Sequence, residues 1–191
     1  MNRWSRRLAL LLAVLTFPLI WVGGLVTTTD AGMAVPDWPN TYGYNMFLYP
    51  WKSWLLGPWD LFIEHGHRLL GALVGMVTIA LMVVVLKTDA RSWMRKLVIV
   101  ALVAVIAQGI LGGVRVRLND VTLAMIHGCT GPAFLVLTTI IAVMFSAFWQ
   151  NPVSPELSAA EAENKNEQNE DSEVIEDDKQ HFNASLRLAR L

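Results

Sequence analysis

The sequence predicts an all-α membrane protein: a four-transmembrane-helix bundle with a long outer loop and a disordered C-terminal tail. Three observations predict it. Residues 8–26, 69–86, 97–114 and 121–150 contain no Asp, Glu, Lys or Arg, and windows of about 18–20 such residues cross a hydrocarbon core of roughly 30 Å. The chain is 54% hydrophobic, too apolar for the polar outer stripes of a soluble helical bundle. The charge is also divided. Residues 1–149 hold 11 Lys/Arg against 6 Asp/Glu, and residues 150–191 hold 4 against 10. The tail is therefore a separate, acidic segment of the composition that does not fold alone. The division of the chain is 1–149, a membrane domain, and 150–191, a disordered cytoplasmic tail or linker. No basic stripe suited to nucleic acid is present. The single cysteine, Cys129, lies in an apolar run, which rules out an intramolecular disulfide and a cysteine-based metal cluster.

Taken in order, the first span follows Arg3, Arg6 and Arg7. Its apolar run is longer than the core of a signal peptide and no A-x-A site follows, so it reads as a retained helix. Pro18 and the pair Gly23-Gly24 either kink it or admit a neighbouring backbone. Residues 27–62 then form a connection too long for a simple turn. It holds all three tyrosines and four of the eight tryptophans (Trp38, Trp51, Trp54, Trp59). Such aromatics settle at the headgroup level, so the loop is an interfacial belt, a lid over a ligand, or both.

The second helix spans about 61–86, with Gly71 and Gly75 spaced for close helix contact. A link at 87–96 carries Lys87, Arg91, Arg95 and Lys96. The third helix spans about 94–114, with Gly109 and Gly113 near its outer end and Gln108 expected to bond a neighbouring helix. A short outer link at 115–120 holds Arg115 and Arg117, and the fourth helix spans about 121–149. Seven Lys/Arg on one side against four on the other place both termini inside by the positive-inside rule. The last residues, 183–191, echo the opening 3–11 like the approach to a fifth helix. Either the chain stops short of a further half, which is the expectation, or the echo is accidental.

The chemistry concentrates at residues 64–68, Glu-His-Gly-His-Arg, at the mouth of the second helix. Ionisable groups are costly at membrane depth and read there as functional. With both termini inside, His67 and His127 fall near the outer ends of their helices at matched depths, which suits two axial imidazole ligands to one haem iron. Arg68, Arg115 and Arg117 are the cations available to the propionates. His65 lies about 200° around the helix from His67 and cannot face the same iron; it is an interfacial or supporting residue. His181, in the tail, has no role. Glu64 is one turn from His67 and has two readings. It is an acid of raised pKa acting in proton transfer, or the partner of Arg68 at i,i+4.

Four ordered motifs carry a family resemblance: GLVTTTDAGMAVPDWPNTYG over 24–43, EHGHR over 64–68, QGILGGVRV over 108–116, and HG at 127–128. Together they resemble the haem A synthase family of cytochrome oxidase assembly proteins over about residues 8–149. The resemblance implies oxidation of the C8 methyl of haem O to a formyl group in a respiratory membrane. It makes His67 and His127 the residues that bracket the substrate haem, and Glu64, in the E-x-x-H-R pattern, the residue needed for oxidation. It also implies haem O synthase or cytochrome oxidase assembly factors as partners. Members of the family usually have two similar four-helix halves, the second carrying a further haem for electron transfer. This chain matches the first half, so a homo-oligomer or another partner is expected. Some members carry a cysteine pair in the first outer loop; here that loop has none. The alternatives are a non-catalytic b-type haem-binding or electron-transfer module, and a structural subunit with no cofactor.

Overall fold

A computed structural model describes residues 2–150 together with Lys165 and Gln168. Apart from Gln150 and those two, the expected acidic tail lies outside the described residues, as does His181. Among the described residues four helices are long and apolar enough to cross a membrane: α1 (Arg3–Thr28), α3 (Trp59–Thr88), α4 (Ser92–Leu118) and α5 (Val121–Met144). This is an integral, multi-pass membrane protein. Between α1 and α3 lie a 3₁₀ turn (Ala31–Met33), a two-stranded antiparallel ribbon of β1 (Asn40–Thr41) and β2 (Tyr44–Asn45), and a short helix α2 (Trp51–Leu55). A last turn, α6, covers Ala147–Gln150.

Local chemistry sets the ends. The Asn2 side chain accepts from the Trp4 amide and starts α1, and Asp120 caps α5 through the Leu123 amide at 2.8 Å. Asn119, at φ 49°, closes α4 in the left-handed conformation. The outer link therefore contracts to Asn119 and Asp120, and Arg115 and Arg117 belong to the last turn of α4 rather than to a loop. Cations there complement the helix dipole, and their long stems let the charge leave the apolar layer. The fourth span also ends earlier than expected. It stops at Met144, where Phe145 caps it.

In space α1 packs on α3 and α5, and α4 packs on α3 and α5. Each helix thus has two neighbours, and α3 faces α5 across the centre. The dry core fills the half of the bundle next to the α3–α4 link: Ala9 and Leu12 of α1, Val74, Val77, Leu81 and Val85 of α3, Met94, Val98 and Ala101 of α4, and Phe134, Ile141 and Phe145 are its buried side chains. Helix association in lipid rests on such packing, because lipid is as apolar as leucine. Toward the loop end this close apolar packing gives way to polar side chains.

The expected small-residue contacts are only partly present. A β-carbon on Gly71 would stand 3.8 Å from the Leu19 side chain, whereas one on Gly75 or Gly109 would meet no neighbouring element within 4 Å. Gly113 is covered not by a helix but by the loop residue Trp38. Gly23 admits an imidazole instead of a backbone. Spacing alone marks where a helix is thin, not what fills the space.

Candidate functional site

His67, from α3, and His127, from α5, meet at the loop end of the bundle. Their ring centres are 6.4 Å apart and their planes are nearly perpendicular, at 85°. Each ring rests on a glycine of a third helix. A methyl on Gly23 of α1 would stand 2.9 Å from Cε1 of His67, and one on Gly112 of α4 would stand 3.1 Å from Cε1 of His127. The Nδ1 atom of each ring is buried and has no hydrogen-bond partner. Buried polar atoms without partners are costly, and two of them in one place mark a position made for something else.

Sequence reasoning took Gly23 as a kink or a point of close backbone approach and gave Gly112 no role of its own. The signal that could have found them is a repeat. A Gly-Gly pair and then His-x-x-x-Gly occur twice, as Gly23-Gly24 with His67 and Gly71, and as Gly112-Gly113 with His127 and Gly131. Each unit supplies one imidazole and the thin helix surface behind it.

Glu64 and Arg68 form the second feature. Arg68 Nη2 donates to Glu64 Oε1 at 2.7 Å, and the Val35 amide donates to Glu64 Oε2 at 2.8 Å. The same guanidinium donates to the carbonyls of Asp37 (2.7 Å), Asn40 (3.0 Å) and Val35 (2.5 Å). Glu64 is 1% exposed. Of the two readings of this carboxylate, the i,i+4 pair is present, and both oxygens are engaged. The pair works as a clasp that holds the long loop onto α3.

The loop is pinned elsewhere too. His65 is buried, with Nδ1 3.0 Å from Thr41 Oγ1 and its ring between Tyr49 and Trp54; it supports the loop and faces away from His67. Trp38 lies on Gly113 of α4, and its carbonyl receives Arg117 at 3.4 Å. Tyr42 and Gly43 take positive φ (48° and 79°) and turn successive amides onto the Asp37 carboxylate, both at 2.8 Å. Burial pushes the Asp37 carboxyl up, but these amides outweigh it and hold the group below the ordinary carboxylate value. Gln108 donates to Thr130 of α5 at 2.5 Å, an interhelical bond as expected. Arg115 is half-buried, its guanidinium lying on Gly32.

The arrangement offers two opposed imidazoles. Two imidazoles on one ion, each at a metal–nitrogen distance of about 2 Å, put their ring centres roughly 6 Å apart. Among the described residues no three His, Cys, Asp or Glu come together. A two-ligand site suits a metal whose other positions belong to a macrocycle. The pair therefore fits haem by its spacing, its cradles and its unpartnered nitrogens.

A family model described as cytochrome oxidase assembly protein matches residues 59–169, more than half of the chain. The matched stretch carries Glu64, His67, Arg68, Arg115, Arg117 and His127. No curated protein and no solved structure matches. The chain belongs to the cytochrome oxidase assembly protein family.

Proposed function

We propose that the chain binds a haem between His67 and His127 and, as a haem A synthase-like oxidoreductase, converts the C8 methyl of haem O to a formyl group. The observation that carries this reading is the imidazole pair: ring centres 6.4 Å apart, with both Nδ1 atoms buried and unpartnered. When bound, haem iron supplies the redox chemistry. The chain's own residues hold, orient and enclose. His67 and His127 would hold the haem, and Gly23 and Gly112 set the rings' positions. The loop, clasped by Glu64 and Arg68, closes the outer mouth against water.

Replacing two C–H bonds of a methyl by one C=O, with water as the oxygen source, releases four protons and four electrons, and the electrons pass to an acceptor outside this chain. Glu64, one turn from His67, is the nearest carboxylate along the helix. Its oxygens each accept one hydrogen bond, from Arg68 and from the Val35 amide, and each keeps a second lone pair at which a proton can arrive. Arg68, Arg115 and Arg117 face the outer end, where the propionates of the haem belong. The host is a respiratory membrane with both termini inside. Haem O synthase or cytochrome oxidase assembly factors are the partners, and a second copy or a further half completes electron transfer.

The second reading is a non-catalytic b-type haem-binding or electron-transfer module. What favours it is the same engagement of Glu64, which a purely structural clasp explains as well. Glu64→Gln separates the two. Purified from cells supplying haem O, the variant is expected to retain a haem spectrum while haem A disappears from chromatography of its extracted haems. Unchanged haem A content would remove Glu64 from the oxidation. No haem A even from the unaltered chain, with a reversible b-type spectrum, would leave the second reading.

A further inference from the structure

We infer that Arg115, seated on Gly32, is the residue that takes the carboxylate of the molecule held between His67 and His127; this rests on the haem reading above. Three arginines stand near the outer mouth, and their surroundings differ. Arg68 already has four partners, three loop carbonyls and Glu64. Arg117 is exposed and, among the described residues, reaches the Trp38 carbonyl at 3.4 Å. Arg115 is half-buried, and among the described residues its guanidinium makes no hydrogen bond or ion pair. It lies within electrostatic reach of both imidazoles and of Glu64. Glu64 is not its hydrogen-bonding partner: the carboxylate accepts from the Val35 amide and Arg68, and its effect on Arg115 is through space alone.

A partly desolvated guanidinium without an anion is a costly arrangement. Beside two imidazoles whose Nδ1 atoms also lack partners, it means that the missing group carries negative charge at one edge. A carboxylate answers the planar fork of a guanidinium with two parallel hydrogen bonds.

Gly32 is the positioning residue. A methyl there would stand 2.7 Å from Nη1 of Arg115 and 3.3 Å from Nη2, so the guanidinium lies where a side chain would be. The site is also one-sided. Arg115 follows Gly112 by three residues, and the residue three after Gly23 is the buried Val26. One side of the imidazole pair is therefore charged and the other apolar, which fixes the in-plane orientation of the ligand.

The test is titration of the detergent-purified full chain, followed by Soret absorbance, with ferric protohaem as the free acid and as its dimethyl ester. The unaltered chain is expected to prefer the free acid, and Arg115→Ala to lose on the order of tenfold in affinity for the acid alone. Gly32→Ala, which keeps every charge, is expected to weaken acid binding and leave ester binding unchanged. Equal affinity of the unaltered chain for acid and ester overturns the proposal without needing any variant to fold. A Soret band indifferent to His67→Ala and His127→Ala overturns the haem reading beneath it instead.

Discussion

The imidazole of His67 occupies the space that a side chain on Gly23 would need, with Cε1 2.9 Å from the position of a β-carbon. His127 stands in the same relation to Gly112, at 3.1 Å. Real β-carbons do not come so close, so Gly23→Ala has to turn the ring. A ligand geometry that is off by a fraction of an ångström loses binding. Gly23→Ala is expected to keep the helical circular dichroism and to weaken haem binding about tenfold, or roughly 1.4 kcal/mol. Gly112→Ala should do the same to a smaller extent. Soret titration of both variants checks the order.

The clasp predicts a stability effect separable from ligand binding. Arg68→Ala leaves Glu64 buried with an uncompensated charge, and removing one partner of a buried pair costs about 3–5 kcal/mol. It also frees the carbonyls of Val35, Asp37 and Asn40. The loop between α1 and α3 should become sensitive to protease while the four spans persist. Glu64→Gln keeps an acceptor for the Val35 amide and should be milder. Limited proteolysis beside thermal unfolding distinguishes the two.

The spans were legible because hydrocarbon imposes one requirement, a long apolar run, that can be read locally. Their ends were not. Arg115 and Arg117 interrupt hydropathy but not helical geometry, so α4 continues to Leu118. The matched depths of His67 and His127 followed from topology and orientation, without knowledge of any contact. What the sequence could not convey is pairing at a distance. Arg68 reaches carbonyls 28 to 33 residues away, and nothing in the spacing of Gly23 or Gly113 says that a histidine or a tryptophan will cover it.

Asp37 gives the loop a pH dependence of known sign. Its carboxyl is held below the ordinary value in the folded chain, so the deprotonated form stabilises the turn at Tyr42 and Gly43. That contribution is fully present above the unfolded pKa of about 3.9 and is lost as the pH falls through the lower folded value. Tryptophan fluorescence of the loop should be flat above about pH 4 and change below it. Asp37→Asn should remove the change.

Gly109 and Gly113 lie on one helix, a turn apart, and alanine should act on them in opposite directions. Nothing stands within 4 Å of a β-carbon on Gly109. Alanine there removes backbone freedom from the unfolded chain at no steric cost and should stabilise by about 0.5–1 kcal/mol. On Gly113 a β-carbon would fall 2.2 Å from the ring of Trp38, closer than any adjustment of the ring in place allows. The indole has to leave α4, and the carbonyl that receives Arg117 goes with it. Gly113→Ala should therefore lower the thermal midpoint and shift tryptophan emission to the red, while Gly109→Ala raises the midpoint with emission unchanged. Because both substitutions add the same methyl to the same helix, the difference between them measures the docking of Trp38 alone.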